Sequence, residues 1–336
     1  MDFTMKASCL FLAVVTTTLA SDQQSPLVVD YQQNPTTSIA CGSDGRKHPS
    51  GYHGPITMVS GNLKRNFSIN VPDTYTPNHH WPLIIDYHGN FGTSRQQYEN
   101  SQYYLSEHGQ EYLVVYPQGL ERHWQGASYA VEGVDDLTFT TDLLAHLSDE
   151  YCINHKRIYA SGKSNGGGFV DTLACSDNGD AFAAFAMASA ALYTDNKQTG
   201  CNKTRAILES HGDLDTIIPY GGNLTGRGGA TPPIAEWVSW WGERDCPGAQ
   251  AKQTGDLGGY DVTTYSCPGL EDVVTHYQVY DLGHCWPSST GLNEDATRPT
   301  KPGKVPQHCA EVRVLDYTSV VLDWFARWTF ETASGS

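Results

Sequence analysis

The chain has 336 residues, of which 39% are hydrophobic and 17% charged, a composition typical of a globular protein with a sizeable core. Its 37 acidic and 21 basic residues give a formal net charge of −16. This balance argues against a nucleic-acid partner, which requires a basic surface. The only long apolar stretch lies near the N-terminus and is too short to span a bilayer, which argues against a membrane-embedded function.

The first segment, residues 1–20, is predicted to be a secretory signal peptide. An apolar run from Cys9 to Val15 follows a lysine and precedes the small residues of a cleavage site. Residues 21–50 follow as a polar N-terminal arm without periodicity, and residues 51–336 are predicted to form one domain. The sequence therefore predicts a secreted, extracellular protein.

Short apolar runs rich in β-branched residues and bounded by turn residues predict the central strands of a sheet. They lie at residues 83–85, 112–115, 158–160, 206–208 and 277–280. Helical patterns separate them, for example after Asp135, and a last helix is predicted from Tyr317 to Trp328. Strands that alternate with helices indicate an α/β fold, with a mostly parallel central sheet and helices on both faces. In such a sheet the active site lies at the carboxyl ends of the strands.

A serine follows the third predicted strand in a glycine-rich turn. The pattern Gly162-x-Ser164-x-Gly166 is that of a nucleophile elbow, in which a tight strand-to-helix turn exposes the serine hydroxyl. A plain glycine-rich loop is the alternative, but the apolar run from Phe169 predicts a helix directly after the turn. Ser164 is therefore the predicted nucleophile, and the Asn165 N–H is the predicted first donor of an oxyanion hole.

A serine nucleophile needs a histidine to take its proton and a carboxylate to orient that histidine, in the chain order serine, acid, histidine. Asp215 lies in the turn after the strand at 206–208 and is the predicted acid, with Asp213 as its rival. His284 directly follows the last predicted strand and is the predicted base. Two other histidines follow the acid. His276 is interpreted as a packed or surface residue, and His308 as a neighbour of the last helix.

The second oxyanion donor is expected in the loop after the first predicted strand, with Asn90 as the first choice and Phe91 as the alternative. Two tryptophans, Trp124 and Trp286, are candidates for stacking on an aromatic substrate group, together with Tyr129, although each also fits a core position. The glycine-rich run 221–231 is interpreted as a surface loop in preference to a lid. No metal or nucleotide motif is present, so no cofactor is expected.

The cysteines fit an oxidising compartment. Nine are present, and the eight beyond the signal peptide contain no Cys-x-x-Cys pair, which favours four disulfides over zinc. Nearness along the chain predicts the pairs Cys175–Cys201 and Cys246–Cys267. Of the longer bridges, Cys41–Cys285 is expected because it would stiffen the loop of His284. Three N-glycosylation sequons fit the same compartment, at Asn66, Asn202 and Asn223.

Together these motifs resemble those of the secreted fungal feruloyl esterases, in the polyhydroxybutyrate-depolymerase-like group of carbohydrate esterase family 1. The resemblance spans nearly the whole chain after the signal peptide. The residues that carry it are His88-Gly89-Asn90, Tyr116-Pro117-Gln118-Gly119, Trp124-Gln125-Gly126, Val134-Asp135-Asp136, Gly162-Lys163-Ser164-Asn165-Gly166-Gly167, His211-Gly212 with Asp215 and Pro219-Tyr220, and Gly283-His284 with Trp286.

The resemblance implies a single-domain α/β-hydrolase fold with Ser164, Asp215 and His284 as the triad. It also implies that ferulic and related hydroxycinnamic acids are released from arabinoxylan esters of the plant cell wall through an acyl-enzyme on Ser164. The residues alone indicate only a secreted serine esterase or lipase-like hydrolase. An acetyl xylan esterase and a polyester depolymerase therefore remain alternatives. A catalytically silent wall-binding protein is disfavoured, since such a protein is expected to have lost a member of the triad.

Overall fold

A computed structural model describes residues 1, 38–42, 48–193, 200–299 and 307–333. Apart from Met1, the predicted signal peptide lies outside the described residues. Ten strands occur in the described part of the chain: β1 (Gly51–Ser60), β2 (Leu63–Val71), β3 (Trp81–Tyr87), β4 (Leu113–Gln118), β5 (Ile153–Lys163), β6 (Ala184–Ala188), β7 (Ile207–Gly212), β8 (Lys252–Thr254), β9 (Tyr260–Cys267) and β10 (Leu270–Val279). They form one sheet in the spatial order β1-β2-β4-β3-β5-β6-β7-β10-β9-β8.

The centre of the sheet is parallel and its edges are antiparallel. Strands β4, β3, β5, β6, β7 and β10 run in one direction, whereas β1, β2, β8 and β9 add antiparallel pairs at the two sides. All five predicted strands are present, as β3, β4, β5, β7 and β10. The alanine-rich β6 escaped prediction because it contains no β-branched residue.

Helices cover both faces of the central strands. Every residue of β3 is buried, and because successive side chains in a strand point to opposite faces, neither face of β3 is open to solvent. The helices of the described residues are α1 (Ser94–Ser101), α2 (Asp136–Glu150), α3 (Asn165–Ala174), α4 (Ile234–Asp245), α5 (Glu294–Thr297), α6 (Tyr317–Ala326) and α7 (Phe330–Ala333). The two predicted helices correspond to α2 and α6, and α6 ends before Trp328. Within the described residues, no helix combines the length and apolarity needed to cross a membrane.

Four disulfides join the eight cysteines, and two of the pairs are those predicted from chain proximity, Cys175–Cys201 and Cys246–Cys267. The expected Cys41–Cys285 bridge is wrong: the observed pairs are Cys41–Cys152 and Cys285–Cys309. Cys152 precedes β5, whose 11 residues span about 35 Å, at about 3.3 Å per residue, before the chain reaches Ser164. Cys41 is thus held at the opposite end of the sheet from His284.

Candidate active site

Ser164 lies in a strained turn between β5 and α3. Its φ of 56° and ψ of −121° fall in a region that residues with a side chain rarely adopt. A Cβ on Gly162 would lie 2.7 Å from the Gly166 backbone, and a Cβ on Gly166 would collide with the Tyr87 carbonyl oxygen. The turn therefore requires glycine at both positions, and it presents the Ser164 hydroxyl beyond the carboxyl end of the sheet.

Ser164, His284 and Asp215 form a continuous hydrogen-bonded chain. His284 Nε2 lies 2.8 Å from Ser164 Oγ, and His284 Nδ1 lies 2.7 Å from Asp215 Oδ2. The other carboxylate oxygen of Asp215 accepts the Ile217 and Ile218 N–H groups, both at 2.8 Å. These two bonds fix the orientation of the carboxylate, so that Oδ2 faces the imidazole.

The rival residues considered from the sequence lie elsewhere. Asp213 is exposed. His276 is buried, and its ring nitrogens face Glu209 and Tyr220. His308 lies in the segment before α6. The structure thus brings the three predicted residues together and leaves their rivals outside the constellation.

The electrostatics of the constellation suit proton transfer. Burial lowers the pKa of His284, Asp215 opposes this shift, and the Lys163 ammonium adds to it, so that the pKa ends below its ordinary value. Burial alone would raise the pKa of Asp215, but His284 and His211 outweigh it and hold that pKa well below its usual range. At neutral pH, His284 is therefore an uncharged base beside a carboxylate anion.

Asn165 has two structural roles next to Ser164. It is the first residue of α3, so its N–H has no acceptor within the helix and is free to bind a developing negative charge. Its side-chain oxygen accepts the Trp124 N–H at 2.9 Å, and its amide nitrogen donates to the Trp124 carbonyl at 3.2 Å. The side chain therefore fixes the neighbouring loop, and the backbone N–H stays available as the predicted oxyanion donor.

The structure distinguishes between Asn90 and Phe91, the two candidates for the second oxyanion donor. The Phe91 N–H donates to the Arg122 carbonyl at 3.0 Å and is already satisfied. The Asn90 N–H makes no hydrogen bond to the described residues. Asn90 also borders the cavities that contain Ser164. The geometry therefore favours Asn90 over Phe91.

His88 orients this donor, a role that the sequence did not reveal. Its Nδ1–H donates to the Gly89 carbonyl at 2.7 Å, and Nε2 accepts the Gly119 N–H at 3.0 Å. Burial lowers the pKa of His88 to about 4, so the ring is neutral. Gly92 N–H also donates to the Gly89 carbonyl, at 2.8 Å. Because a trans peptide is planar, fixing that carbonyl turns the Asn90 N–H in the opposite direction.

The two tryptophans predicted to bind substrate do not line the space beside Ser164, so that prediction is wrong. Trp124 has no exposed surface, stacks on Phe169 and donates its indole N–H to the His88 carbonyl at 2.8 Å. Trp286 is 1% exposed and donates to Thr318 Oγ1 at 3.0 Å. It borders a separate cavity that does not include Ser164. Both rings serve the core, where a hydrogen bond satisfies each indole nitrogen.

Two cavities of different character meet at Ser164, and we call them the polar half and the apolar half of the cleft. The polar half has a volume of about 170 Å³. Among its lining residues are Gln96, Asn100, Lys163, Glu294, Asp295 and Arg298. The apolar half has a volume of about 310 Å³. Among its lining residues are Tyr129, Tyr193, Ile217, Ile218, Gly228 and Thr231.

The glycine-rich run 221–231 forms one wall of the apolar half. Asn223 and Thr231 exchange two backbone hydrogen bonds, at 3.0 and 2.8 Å, which close the run into a loop. The Gly228 carbonyl accepts the Ser128 N–H at 2.8 Å. The loop is thus held at its base and at its tip against the rest of the cleft.

Lys163 and Asp295 form a second charged feature that sequence reasoning missed. Lys163 Nζ lies 2.7 Å from Asp295 Oδ1, with side chains that are 10% and 6% exposed. Asp295 Oδ2 also accepts the Trp286 N–H at 2.8 Å and the Asn100 side-chain amide at 3.0 Å. The ion pair therefore ties the residue before Ser164 to the segment that follows His284.

One group of possible metal ligands occurs in the described residues, formed by Cys41, Cys152 and His80. The two cysteines are joined in a disulfide, so neither sulfur is available as a thiolate ligand. The group lies near the start of β5, at the opposite end of that strand from Ser164. It therefore offers no metal centre to the constellation around Ser164.

No protein-family model matches the chain, but the chain is similar to several known esterases. It is 27% identical over 198 residues to a probable feruloyl esterase C of Aspergillus clavatus, covering 56% of this chain and 65% of that protein. It is 27% identical to feruloyl esterase B of Piromyces equi, over 48% of this chain and 31% of that protein. It is 28% identical to a bifunctional acetylxylan esterase/xylanase of Neocallimastix patriciarum, over 46% and 22% respectively. The chain thus spans less than two thirds of each of these relatives.

Two solved structures share the fold. A thermostable esterase superposes with a TM-score of 0.52 at 15% identity, over 82% of this chain and 62% of that one. The acetyl xylan esterase from Aspergillus awamori gives a TM-score of 0.52 at 15% identity, over 78% and 94%. The predicted α/β-hydrolase fold is thereby confirmed. The resemblance to the feruloyl esterases is confirmed by the curated relatives.

Proposed function

We propose that this chain is a secreted serine carboxylic-ester hydrolase that releases ferulic and related hydroxycinnamic acids from esters of plant cell-wall polysaccharides such as arabinoxylan. The observation that carries the proposal is the unbroken hydrogen-bonded chain from Asp215 through His284 to Ser164. The relatives include proteins named as feruloyl esterases, which supports the hydroxycinnamoyl acyl group. The catalytic unit is proposed to be residues 51–336, after a signal peptide at 1–20 and an arm at 21–50.

The proposed reaction has two steps. Ser164 Oγ attacks the ester carbonyl while His284 Nε2 takes the hydroxyl proton, and Asp215 stabilises the resulting imidazolium. The backbone N–H groups of Asn165 and Asn90 bind the oxyanion. The alcohol leaves with the proton from His284, which forms the acyl-enzyme. Water, deprotonated by His284, then attacks the acyl-enzyme; the bond between the acyl carbon and Ser164 Oγ breaks as His284 returns the proton to Oγ, and the free acid leaves.

The two halves of the cleft fit the two halves of such an ester. The apolar half offers tyrosine and isoleucine side chains to a planar hydroxycinnamoyl group, whose burial supplies roughly 2 to 3 kcal/mol. The polar half offers amide, carboxylate and guanidinium groups, which hydrogen-bond the hydroxyls of a sugar alcohol. The substrate is thus proposed to be a feruloylated polysaccharide or its oligosaccharides, bound with the carbonyl at Ser164 and the sugar in the polar half.

Four ester substrates distinguish the proposal from its alternatives. The purified protein should release free acid from methyl ferulate at a kcat/KM at least about tenfold above that for a matched acetyl ester, because acetate cannot fill the apolar half. A preference for acetylated xylan would favour an acetyl xylan esterase, which is the activity named for one relative. Activity confined to polyhydroxybutyrate emulsions would favour a depolymerase. Absence of hydrolysis of all four esters would favour a non-enzymatic wall-binding protein.

Matched variants test the residues. Ser164→Ala should remove ester hydrolysis with little change in Tm, because the hydroxyl serves chemistry more than packing. Asp215→Asn should lower kcat by orders of magnitude, whereas Asp213→Asn, on an exposed carboxyl two residues away, is the control. More than a tenth of the activity left in Ser164→Ala, or equal losses at the two aspartates, would contradict the assignment.

A further inference from the structure

A buried glutamate and a buried histidine continue the hydrogen-bonded chain beyond Asp215. Glu209 and His211 lie on the same face of β7, and neither side chain has any exposed surface. His211 Nδ1 lies 2.9 Å from Glu209 Oε1. His211 Nε2 lies 2.8 Å from the Ile218 carbonyl oxygen and 3.3 Å from Asp215 Oδ2, the oxygen that also faces His284. His211 therefore contacts both carboxylates.

The surroundings of His211 indicate its protonation state. The Ile218 carbonyl oxygen can only accept a hydrogen bond, so the Nε2 atom of His211 carries a proton. The Glu209 carboxylate also accepts, so the Nδ1 atom of His211 carries a second proton. Burial opposes the cation, but Glu209 and Asp215 outweigh it and raise the pKa of His211 to about 10. Burial would raise the pKa of Glu209, but His211 and His276 lower it to about 2. The arrangement is an imidazolium between two carboxylates.

Other titratable groups surround this arrangement. His276 Nδ1 lies 2.8 Å from Glu209 Oε2, and the Tyr220 hydroxyl lies 3.0 Å from His276 Nε2. The Tyr220 ring also packs edge-on against His211, with centroids 6.0 Å apart. His284 in turn is influenced by the charges of Lys163 and Asp295. Of the groups named here, His211 and His284 are the ones that contact Asp215 Oδ2. His211 supplies a cation there at rest, and His284 supplies one when it becomes an imidazolium.

We propose that Glu209 and His211 are positioning residues for the triad: the His211 cation keeps Asp215 aimed at His284 and offsets part of its negative charge, and Glu209 keeps His211 in that cationic form. The inference rests on the proposed esterase function, because it concerns the proton transfer from Ser164.

The net charge of the buried groups explains why the triad needs both Glu209 and His211. At rest, Glu209, His211 and Asp215 carry one net negative charge beside a neutral His284. When Ser164 passes its proton to His284, the four buried groups become neutral as a set, which avoids a net charge in a low-dielectric site. A His211 cation without Glu209 would instead repel the imidazolium that forms on His284.

The pH profile tests the proposal. His211→Gln keeps an N–H donor near Asp215 but removes the positive charge, so the Asp215 anion acts on His284 uncompensated and raises the pKa of that base. The acid limb of kcat/KM on methyl ferulate should therefore move up by roughly 0.5 to 1 pH unit. We expect kcat to fall about 10- to 100-fold with KM changed less than about threefold. A general loss of packing would lower activity without moving the limb.

His276→Gln is the matched control. His276 is also a buried histidine beside Glu209, with a side chain 3% exposed, but its nitrogens face Glu209 and Tyr220 and not Asp215. Its replacement should leave the acid limb within about 0.2 pH unit of the native value, since no charge next to Asp215 is lost. An equal shift in the two variants would overturn the proposal, as would an unmoved limb in folded His211→Gln.

A measurement on the native protein covers the case in which His211→Gln does not fold. In ¹⁵N-histidine-labelled protein, long-range ¹H–¹⁵N spectra at pH 8 should show one histidine with both nitrogens protonated, whereas an ordinary histidine has lost its second proton at that pH. Absence of such a histidine would overturn the proposal. The spectrum needs no substrate, so failure of the native protein to hydrolyse any ester would count against the proposed function alone.

Discussion

The hydroxyl groups of Tyr129 and Tyr193 are hydrogen-bonded to each other at 2.7 Å in the wall of the apolar half of the cleft. Tyr193 is 6% exposed, and its ring also packs against the Gly228–Gly229 backbone of the loop 221–231. This pair of phenol hydroxyls lies in a mainly apolar wall that Asn223 and Arg227 also line, and it provides one donor and several acceptor positions for a polar group on an aromatic acyl chain.

We expect Tyr129→Phe to weaken recognition of the phenol group of the acyl chain. The loss of one neutral hydrogen bond, about 1 kcal/mol, should lower kcat/KM for methyl p-coumarate about fivefold. Methyl cinnamate, which lacks the hydroxyl, is the control and should be affected less than twofold. Equal effects on the two esters in steady-state assays would show that the tyrosine pair does not contact the phenol.

The Lys163–Asp295 ion pair should matter more for stability than for chemistry. Lys163→Met leaves Asp295 buried without its cation, which should reduce the free energy of unfolding by about 3 kcal/mol. The double variant Lys163→Met/Asp295→Asn should recover part of that loss, because no buried charge then lacks a partner. Urea unfolding measures both variants. A double variant no more stable than Lys163→Met would contradict the expected compensation.

His88→Ala should impair the oxyanion hole while leaving substrate binding largely intact. Without the imidazole, the Gly89 carbonyl keeps only the Gly92 N–H as a donor, so the direction of the Asn90 N–H is held less firmly. We expect kcat to fall about 100-fold with KM changed little, as for loss of an oxyanion donor. His155→Ala, which removes a half-buried imidazole near the other end of β5, is the control for the loss of an imidazole. A large rise in KM with kcat preserved would contradict this role.

Asp245 should make the protein less stable at high pH. Its Oδ1 accepts the Arg205 N–H at 2.8 Å, but burial raises its pKa to about 8. Because the folded state binds this proton more tightly than the unfolded chain, the stability that the group provides is complete below about pH 4 and is lost as the pH rises toward 8. Asp245→Asn should therefore raise Tm by roughly 5 °C at pH 9 and much less at pH 4. Thermal unfolding at the two pH values measures this, and a pH-independent effect would contradict it.

Ser164, Asp215 and His284 could be located from the sequence because each follows a predicted strand and because their order along the chain is fixed in this fold. Gly162 and Gly166 identified the turn, and only three histidines follow Asp215. The pairing of Glu209 with His211 was not recognised, because nothing in a sequence shows that two titratable side chains in a strand are buried and in contact. Lys163 was missed for the same reason, since its partner is 132 residues away.

The errors share a physical origin. Trp124 and Trp286 follow strands that reach the cleft, but a loop residue can point into the core as easily as into a pocket, and only packing decides. The partner of Cys41 depends on which end of β5 lies beside Cys41, and chain spacing carries no such information. Pairs close in sequence, such as Cys246–Cys267, are predictable because a short loop brings their ends together readily.

The double role of Asn165 has a consequence for mutagenesis. Its backbone N–H is the proposed oxyanion donor, and no side-chain replacement can delete that group, whereas its carboxamide holds both the N–H and the carbonyl of Trp124. In an alanine scan, the loss of activity in Asn165→Ala would therefore come from the detached loop, but it would be misread as a loss of transition-state stabilisation. Replacing the peptide N–H itself, by an ester linkage between Ser164 and residue 165 in a semisynthetic protein, separates the two contributions.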